Sequence, residues 1–203
     1  MSATPATVTG RIGPNAALQL LAAVAAGEGE GMAARVVAEA GIADPRLLPD
    51  PGMLPVAEVT ALHRALLRLV GPERARALAA EAGRRTAAYL LAHRIPRPFQ
   101  LLLRLLPRAA ARGLLLRSIA RHAWTFTGGG GFTVEPGPPA GLRIVPCPLC
   151  PPTGAQGLGC VYYAATFEGL LRALVDPRTR VAPAACGAAG SRRCELAIDR
   201  LSA

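Results

Sequence analysis

Five cysteines near the C-terminus are the residues whose types and spacing most directly suggest chemistry. They are Cys147, Cys150, Cys160, Cys186 and Cys194. Zinc takes about four ligands in a tetrahedral arrangement and binds thiolates well. An iron–sulfur cluster uses the same ligand type. Metal binding competes with a structural interpretation, because cysteine is among the most buried residue types and one C-x2-C pair is a weak signal.

The segments around these cysteines predict elements that could bring the thiols together. LRIVP, from Leu142, predicts a strand before the C-x2-C pair. CVYYA predicts a strand or a helix start, and a helix is predicted over 166–175. RVAPAAC and CELAIDRL predict two strands around the turn GAAGSRR. Pairing of these strands would place Cys186 beside Cys194. This part of the chain therefore predicts an α+β unit with an antiparallel sheet.

The preceding part of the chain predicts helices. Asn15 can cap a first helix over 16–26, and Gly41 ends a second that begins near Met32. Further helices are predicted in an amphipathic segment from Val56, from Pro72 to the Pro96 and Pro98 pair, and over 100–121, where Pro107 divides the region in two.

A run of four glycines, Gly128–Gly131, follows the helical region. Aromatic and β-branched residues flank it in AWTFTGGGGFTVEPG, which predicts two strands meeting at a flexible hairpin turn. Trp124 and Phe126 would then face the same side of a strand. The run lacks the helix start of a dinucleotide loop, and no G-x-G-x-x-G follows a predicted strand. We therefore predict no nucleotide cofactor.

Composition limits the class of protein and of partner. The 203 residues suit one domain, and all 23 basic residues are arginine against 13 acidic residues, giving a net charge of +10. Acidic planar ligands, anionic lipid and nucleic acid are all compatible with arginine, although a GC-rich genome could also produce this bias. Nucleic acid ranks last, because the arginines lie among Leu and Ala rather than exposed aromatics.

The expected location is the cytoplasm. The N-terminus lacks the basic start, apolar core and cleavage site of a secretory signal. Apolar stretches are interrupted before about 18 residues, so no spanning helix is predicted, and peripheral membrane contact stays open. A homodimer also stays open, because apolar periodicity does not separate an interface from a core.

Several segments resemble a known family over nearly the whole chain. They are RIGPN at 11–15, TAAYLLAHRIP at 86–96, HAWTFTG at 122–128, YYAATFEGLLRALV at 162–175 and CGAAGSRRC at 186–194. These are similar to the bacteriochlorophyll biosynthesis family named for bacteriochlorophyll 4-vinyl reductase. The C-terminal half also resembles the wider 4-vinyl reductase domain of archaeal proteins and aromatic-ligand sensors. The resemblance implies a helical region over 1–85 and an α+β ligand-binding domain over 86–203, together forming one compact unit.

The resemblance also implies a metal site. In the sensor relatives zinc is held by three cysteines and a glutamate, and the cysteine pattern corresponds to Cys160, Cys186 and Cys194. The glutamate position corresponds to Pro183, which cannot coordinate a metal. Either the fourth ligand is therefore Cys147, Cys150 or water, or the metal site is lost in this chain. A closed all-cysteine site would be structural, because a catalytic zinc needs an open position.

The ligand implied by the resemblance is a tetrapyrrole. Such a ring needs apolar walls, arginines for its carboxylates and one axial donor. Flat contact could come from Tyr89, Phe99, Trp124 and Phe126, carboxylate binding from Arg94, Arg97 and Arg121, and a metal or water contact from His93 or His122. Core packing is the alternative for the aromatic residues, and His63 is predicted to be an ordinary surface or boundary residue.

Two functions follow from the resemblance. The first is binding of a porphyrin or chlorophyllide precursor and its delivery to another bacteriochlorophyll biosynthesis enzyme. The second is reduction of the 8-vinyl group of divinyl protochlorophyllide, which requires an external electron donor because no donor-binding motif is visible. A sensor of aromatic ligands is a third hypothesis, but the chain lacks an appended output domain.

Overall fold

The computed structural model describes residues 10–137, 139–150, 157–186 and 193–200. They form an α+β fold in which helices precede and cover an antiparallel sheet, which confirms the predicted fold class.

The described residues contain eight α-helices, and most of them begin or end where the sequence supplies Pro or Gly. Their bounds are α1 Asn15–Glu28, α2 Glu30–Ala40, α3 Val56–Val70, α4 Pro72–His93, α5 Arg97–Leu105, α6 Arg108–Arg121, α7 Trp124–Thr127 and α8 Leu158–Leu174. Gly29 has a φ of 89° and separates α1 from α2, and Gly41 ends α2 in a left-handed conformation at a φ of 67°.

The described residues also contain six strands, which form two sheets. The short strands β1 Arg11–Ile12 and β2 Leu54–Pro55 pair with each other. The larger sheet contains β3 Gly131–Glu135, β4 Ala140–Val145, β5 Thr179–Cys186 and β6 Cys194–Arg200. Its order is β3-β4-β6-β5, and every neighbouring pair is antiparallel. A register irregularity lies in β5 between Pro183 and Ala185.

Helix α8 is the central element, because it contacts β5 and β6 on one side and α4 on the other. The α4–α8 contact is close because glycine stands on both helices. A Cβ on Gly83 of α4 would lie 2.4 Å from the Tyr162 carbonyl oxygen, and a Cβ on Gly169 of α8 would lie 2.6 Å from the Ala87 Cβ. A buried hydrogen bond of 3.0 Å joins the Thr86 and Tyr162 hydroxyls across the same contact.

Most of the predicted elements are confirmed. The end of α2, the amphipathic helix α3, the division of the basic region around Pro107 and the strand pair β5–β6 all lie where the sequence predicts them. Asn15 is the first residue of α1 and not its cap, since Pro14 occupies the cap position. CVYYA belongs to the single helix α8, as the helix alternative for this segment predicts. The helix begins at Leu158, two residues before CVYYA and eight before the separate helix predicted from 166.

The predicted strand before the glycine run is wrong. Trp124–Thr127 forms one helical turn, closed by hydrogen bonds from the Phe126 and Thr127 amides to the Ala123 carbonyl oxygen. The glycine run is therefore not a hairpin turn, and it joins α7 to β3. Gly128 ends α7 at a φ of 59°, and a Cβ on this residue would lie 2.6 Å from a Val56 methyl group. Close backbone approach explains why glycine is required here.

No helix among the described residues is long and apolar enough to cross a membrane. The boundary predicted at residue 85 falls inside α4, and the division into two regions stays a prediction.

Replacement of Gly83 by alanine tests the α4–α8 contact. Alanine has the higher helix propensity, but its methyl group would meet backbone and side-chain atoms of α8. We expect Gly83→Ala to lower the free energy of unfolding by about 1–3 kcal/mol in urea titrations followed by circular dichroism. The matched control is Gly113→Ala in α6, where the nearest atom is a flexible Arg117 nitrogen at 4.0 Å. That variant should gain about 0.5–1 kcal/mol. Equal effects of the two substitutions would contradict the close contact.

Candidate metal centre and ligand surface

All five cysteines converge at one end of the larger sheet. Cys147 and Cys150 lie in the segment after β4, and Cys160 is the third residue of α8. Cys186 ends β5 and pairs in register with Cys194, the first residue of β6, as the sequence predicts. Four of the thiols are buried and Cys186 is half-buried. Three separate parts of the chain are therefore joined at this point.

Cys150 is the centre of the group. The sulfurs of Cys147, Cys150 and Cys194 all lie within 4.8 Å of one another, and so do those of Cys150, Cys160 and Cys186. Cys150 belongs to both triads. Its Sγ is 3.3 Å from Cys160 Sγ, which in turn is 3.0 Å from Cys186 Sγ. No disulfide links these residues.

Two glycines let the cysteine-bearing segments approach one another closely, and one hydroxyl joins the segment after β4 to α3. Gly157 precedes α8 at a φ of 77°, and a Cβ there would lie 3.3 Å from Cys186 Sγ. A Cβ on Gly159 would lie 2.7 Å from the Leu149 carbonyl oxygen. Thr60 of α3 donates a hydrogen bond of 3.2 Å to the Pro148 carbonyl oxygen. Sequence reasoning missed the two glycines, although their spacing to the next cysteine in GLGC was a visible signal.

Hydrogen bonds within the cluster favour the thiolate of Cys147 over those of Cys150 and Cys194. Burial raises the pKa of Cys147, but hydrogen bonds with Cys150 and Cys194 outweigh it and lower this pKa to about 6. Hydrogen bonds with Cys147, Cys150 and Cys160 raise the pKa of Cys194, and the bond to Cys147 raises that of Cys150 well above its ordinary value. The start of α8 also carries a partial positive charge that favours a thiolate. A bound cation would stabilise further deprotonation.

The donor set fits zinc. A zinc–sulfur bond of about 2.3 Å in a tetrahedral site separates ligand sulfurs by about 3.8 Å. The sulfur–sulfur distances of 3.0 and 3.3 Å are somewhat shorter, and the three sulfurs of each triad lie within 4.8 Å of one another. A four-sulfur site would need side-chain rotations that bring a sulfur of one triad to the other around the shared Cys150. Five thiols exceed the four that zinc requires, so one cysteine would be spare.

The predicted ligand residues separate into two surface groups. The first, which we name the α6–α7 corner, consists of Arg121, His122 and Trp124. His122 Nδ1 donates a 2.8 Å hydrogen bond to the Ser118 carbonyl oxygen, and its own carbonyl oxygen accepts bonds from Thr125. Trp124 is 62% exposed. Since a carbonyl only accepts, the exposed His122 ring carries its proton on Nδ1 and leaves Nε2 as the free acceptor.

Phe126 follows this corner but points into the interior. Its ring packs edge-on against Phe132 and Phe167, with centroid separations of 5.4 and 5.8 Å, and its carbonyl oxygen accepts a 2.7 Å hydrogen bond from the Tyr163 hydroxyl. These contacts serve the packing between β3 and α8.

The second group, which we name the α4–α5 corner, consists of Tyr89, His93, Arg94, Arg97 and Phe99. The Tyr89 and His93 rings are tilted by 43° with centroids 4.8 Å apart, and His93 and both arginines are exposed. Gln100 fixes this corner by donating to the Leu91 and Ile95 carbonyl oxygens. Phe99 packs against the core. Two open surface depressions among the described residues are lined by other residues, around 70–77 and around Arg108 and Asp176.

Two curated proteins match most of the chain. The bacteriochlorophyll synthase 23 kDa chain of Cereibacter sphaeroides is 42% identical over 188 residues, which cover 93% of this chain and 90% of the relative. The protein of the same name from Rhodobacter capsulatus is 38% identical over 184 residues, covering 91% and 84%. The chain belongs to the bacteriochlorophyll synthase 23 kDa chain family. No protein-family model matches it.

Membership of the 23 kDa chain family supports a role in bacteriochlorophyll biosynthesis, which the resemblance also implies. The relatives' names contain no vinyl reductase activity, so that activity stays a prediction. The site residues, the metal and the dimer likewise stay predictions.

His63 is not a surface residue in this member of the 23 kDa chain family. The prediction of an ordinary surface or boundary position for it is therefore wrong. It is 0% exposed in α3, where its Nδ1 donates a 2.9 Å hydrogen bond to the Val59 carbonyl oxygen. Its Nε2 is buried and has no hydrogen-bond partner among the described residues. The Tyr162 ring lies edge-on at a centroid distance of 6.5 Å. Burial lowers the pKa of His63, and the bond to Val59 offsets this only in part.

The lowered pKa of His63 predicts loss of stability in acid. The unfolded chain takes up a proton below about pH 6.5, whereas the folded chain resists it, so falling pH favours unfolding by up to about 1.4 kcal/mol per pH unit. We expect His63→Leu to flatten the decline in unfolding free energy between about pH 7.5 and about pH 5.5 in urea titrations. His93→Gln, which changes an exposed histidine, should leave the decline intact. An unchanged slope in His63→Leu would contradict this assignment.

Proposed function

We propose that this protein binds a magnesium-containing tetrapyrrole precursor and delivers it to another enzyme of bacteriochlorophyll synthesis. The two relatives indicate a role in bacteriochlorophyll biosynthesis. A protein that carries such a ring needs a flat apolar contact, a cation for the propionates and one axial donor. The α6–α7 corner offers all three side-chain types within four consecutive positions, 121–124.

The observation that carries the proposal is the hydrogen bond of His122. Histidines that ligate metals usually donate their other ring N–H to a carbonyl or carboxylate, which fixes the ring and its tautomer. The Ser118 carbonyl oxygen has this role for His122 Nδ1, and Nε2 is left as the exposed acceptor. His122 can therefore bind magnesium or hydrogen-bond through a magnesium-bound water.

The neighbours of His122 supply the remaining contacts. Trp124 is one of the few large apolar side chains of this chain that are exposed, and an exposed indole offers a face on which a flat ring can stack. Exposed Arg121 can pair with a propionate through two parallel hydrogen bonds. Hydrogen bonds from Thr125 to the His122 carbonyl oxygen hold the corner in one conformation.

The proposed role of the cysteine cluster is structural zinc. Zinc would take Cys150 and three of its four neighbours, leaving no open coordination position for catalysis. It would stabilise the junction of the segment after β4, the start of α8 and the β5–β6 pair.

Reduction of the vinyl group is the competing function. Converting a vinyl to an ethyl group consumes a pair of electrons and a pair of protons, so a donor is required. The five clustered thiols could also ligate an iron–sulfur centre that accepts electrons from a partner. The colour and metal content of the purified protein distinguish this centre from zinc.

Titration with tetrapyrroles tests the binding function. Purified protein is mixed with protoporphyrin, magnesium protoporphyrin or divinyl protochlorophyllide, and binding is followed by ligand absorbance and Trp124 quenching. We expect His122→Gln to weaken magnesium protoporphyrin binding by at least about tenfold, because an axial contact worth about 1.4 kcal/mol is lost. Binding of metal-free protoporphyrin should change much less. His93→Gln is the matched control at the α4–α5 corner and should bind like the unaltered protein.

Other outcomes of the titration are equally decisive. If only His93→Gln weakens binding, the ligand lies at the α4–α5 corner. If none of the three compounds binds, the binding function is contradicted. Vinyl reduction after addition of NADPH or dithionite would establish the reductase in place of a carrier.

Zinc retention by cysteine variants tests the metal proposal. Because Cys150 belongs to both triads, Cys150→Ser should lower zinc affinity by at least about a hundredfold, more than loss of a group that only hydrogen-bonds to a ligand does. Cys147→Ser should lose less, because the spare thiol can replace the missing ligand. Zinc is measured by mass spectrometry after dialysis against a competing chelator, with circular dichroism as a folding control. Equal losses in the two variants, or a folded protein that binds no zinc, would contradict the proposal.

A further inference from the structure

Helix α5 has an apolar face that the fold leaves uncovered. Leu101, Leu102 and Leu105 are 58%, 46% and 75% exposed, although the helix has only nine residues. They share one side of the helix because they are three or four positions apart or adjacent. The opposite side already contributes Leu103 and Phe99 to the core. Contiguous exposed leucines of this kind usually mark a binding surface.

Arginines border these leucines. Arg97 and Arg104 are exposed and stand four positions before and three after Leu101, so all three lie along the same side of α5. Arg104 also donates a 3.3 Å hydrogen bond to the Ala173 carbonyl oxygen, which holds α5 against the end of α8. Arg97 has no ion-pair partner among the described residues. The exposed face thus combines leucine with unneutralised positive charge.

The surrounding sequence is basic over a long distance. Between Glu81 and Glu135 the chain contains nine arginines and no acidic residue. An anionic occupant is therefore favoured at α5. A second copy of this face would bring arginine against arginine and is disfavoured. Nucleic acid would gain nothing from exposed leucines, which offer neither stacking nor hydrogen bonds to bases.

An anionic membrane surface matches both features. A short helix with leucines on one side and arginines at the edge can lie in the plane of the interface, with leucines among the acyl chains and arginines at lipid phosphates. We propose that the exposed face of α5 docks this protein onto anionic membranes. The docking is peripheral and reversible, and it is independent of the tetrapyrrole function.

Vesicle cosedimentation of the full chain tests this proposal. The vesicles contain either phosphatidylcholine alone or phosphatidylcholine with phosphatidylglycerol. We expect binding to the anionic vesicles only, and Leu101→Gln with Leu105→Gln should reduce it at least about tenfold without changing net charge. The matched control is Leu47→Gln with Leu48→Gln, which alters leucines that are 82% and 44% exposed outside α5. The control should bind like the unaltered protein.

Two arginine substitutions distinguish docking through α5 from a general attraction of this basic protein to anionic lipid. Arg97→Gln should weaken binding about fivefold, whereas Arg35→Gln, which changes an exposed arginine of α2, should have a smaller effect. The proposal would be overturned if these two variants had equal effects, if the two leucine double variants had equal effects, or if the protein bound to neutral vesicles. Light scattering without lipid gives a further test. If the Leu101→Gln and Leu105→Gln substitutions dissociate an oligomer, or a complex with an acidic protein, the proposal is also overturned.

Discussion

The convergence of five thiols around Cys150 is the constraint on which the C-terminal half depends. Buried thiols offer weak hydrogen bonds, and a shared negative charge in an apolar interior is costly unless a cation or dipole balances it. The register of Cys186 with Cys194 and the start of α8 at Leu158 both follow from bringing these sulfurs together. Glycine is needed at 157 and 159, because a Cβ there would crowd Cys186 Sγ or the Leu149 carbonyl oxygen.

The cluster and the proposed ligand surface are connected through α8. This helix begins at the thiols, packs against α4 through Gly83 and Gly169, and holds Phe126 beside Phe167. Phe126 in turn anchors α7, whose first residue is the exposed Trp124. A change at the cysteines would therefore reach the α6–α7 corner through packed side chains. This arrangement explains how a structural metal could matter for a ligand bound elsewhere on the surface.

Sequence patterns predicted the fold class and the pairing of Cys186 with Cys194, because periodicity and turn residues act locally. They failed at Trp124, where aromatic and β-branched residues favoured a strand but hydrogen bonds to Ala123 close a helical turn. They also failed at His63, since a polar residue on an amphipathic helix reveals nothing about the neighbouring helix that buries it. The central position of Cys150 depends on three distant segments and could not be derived from spacing.

X-ray absorption of the purified protein at the zinc edge tests the thiol-centred account most directly. We expect about one zinc per chain, with only sulfur neighbours at about 2.3 Å. Loss of this signal in Cys150→Ser would identify the central ligand. A zinc surrounded mainly by nitrogen or oxygen, or a folded protein whose five thiols all react freely with a thiol reagent, would contradict it.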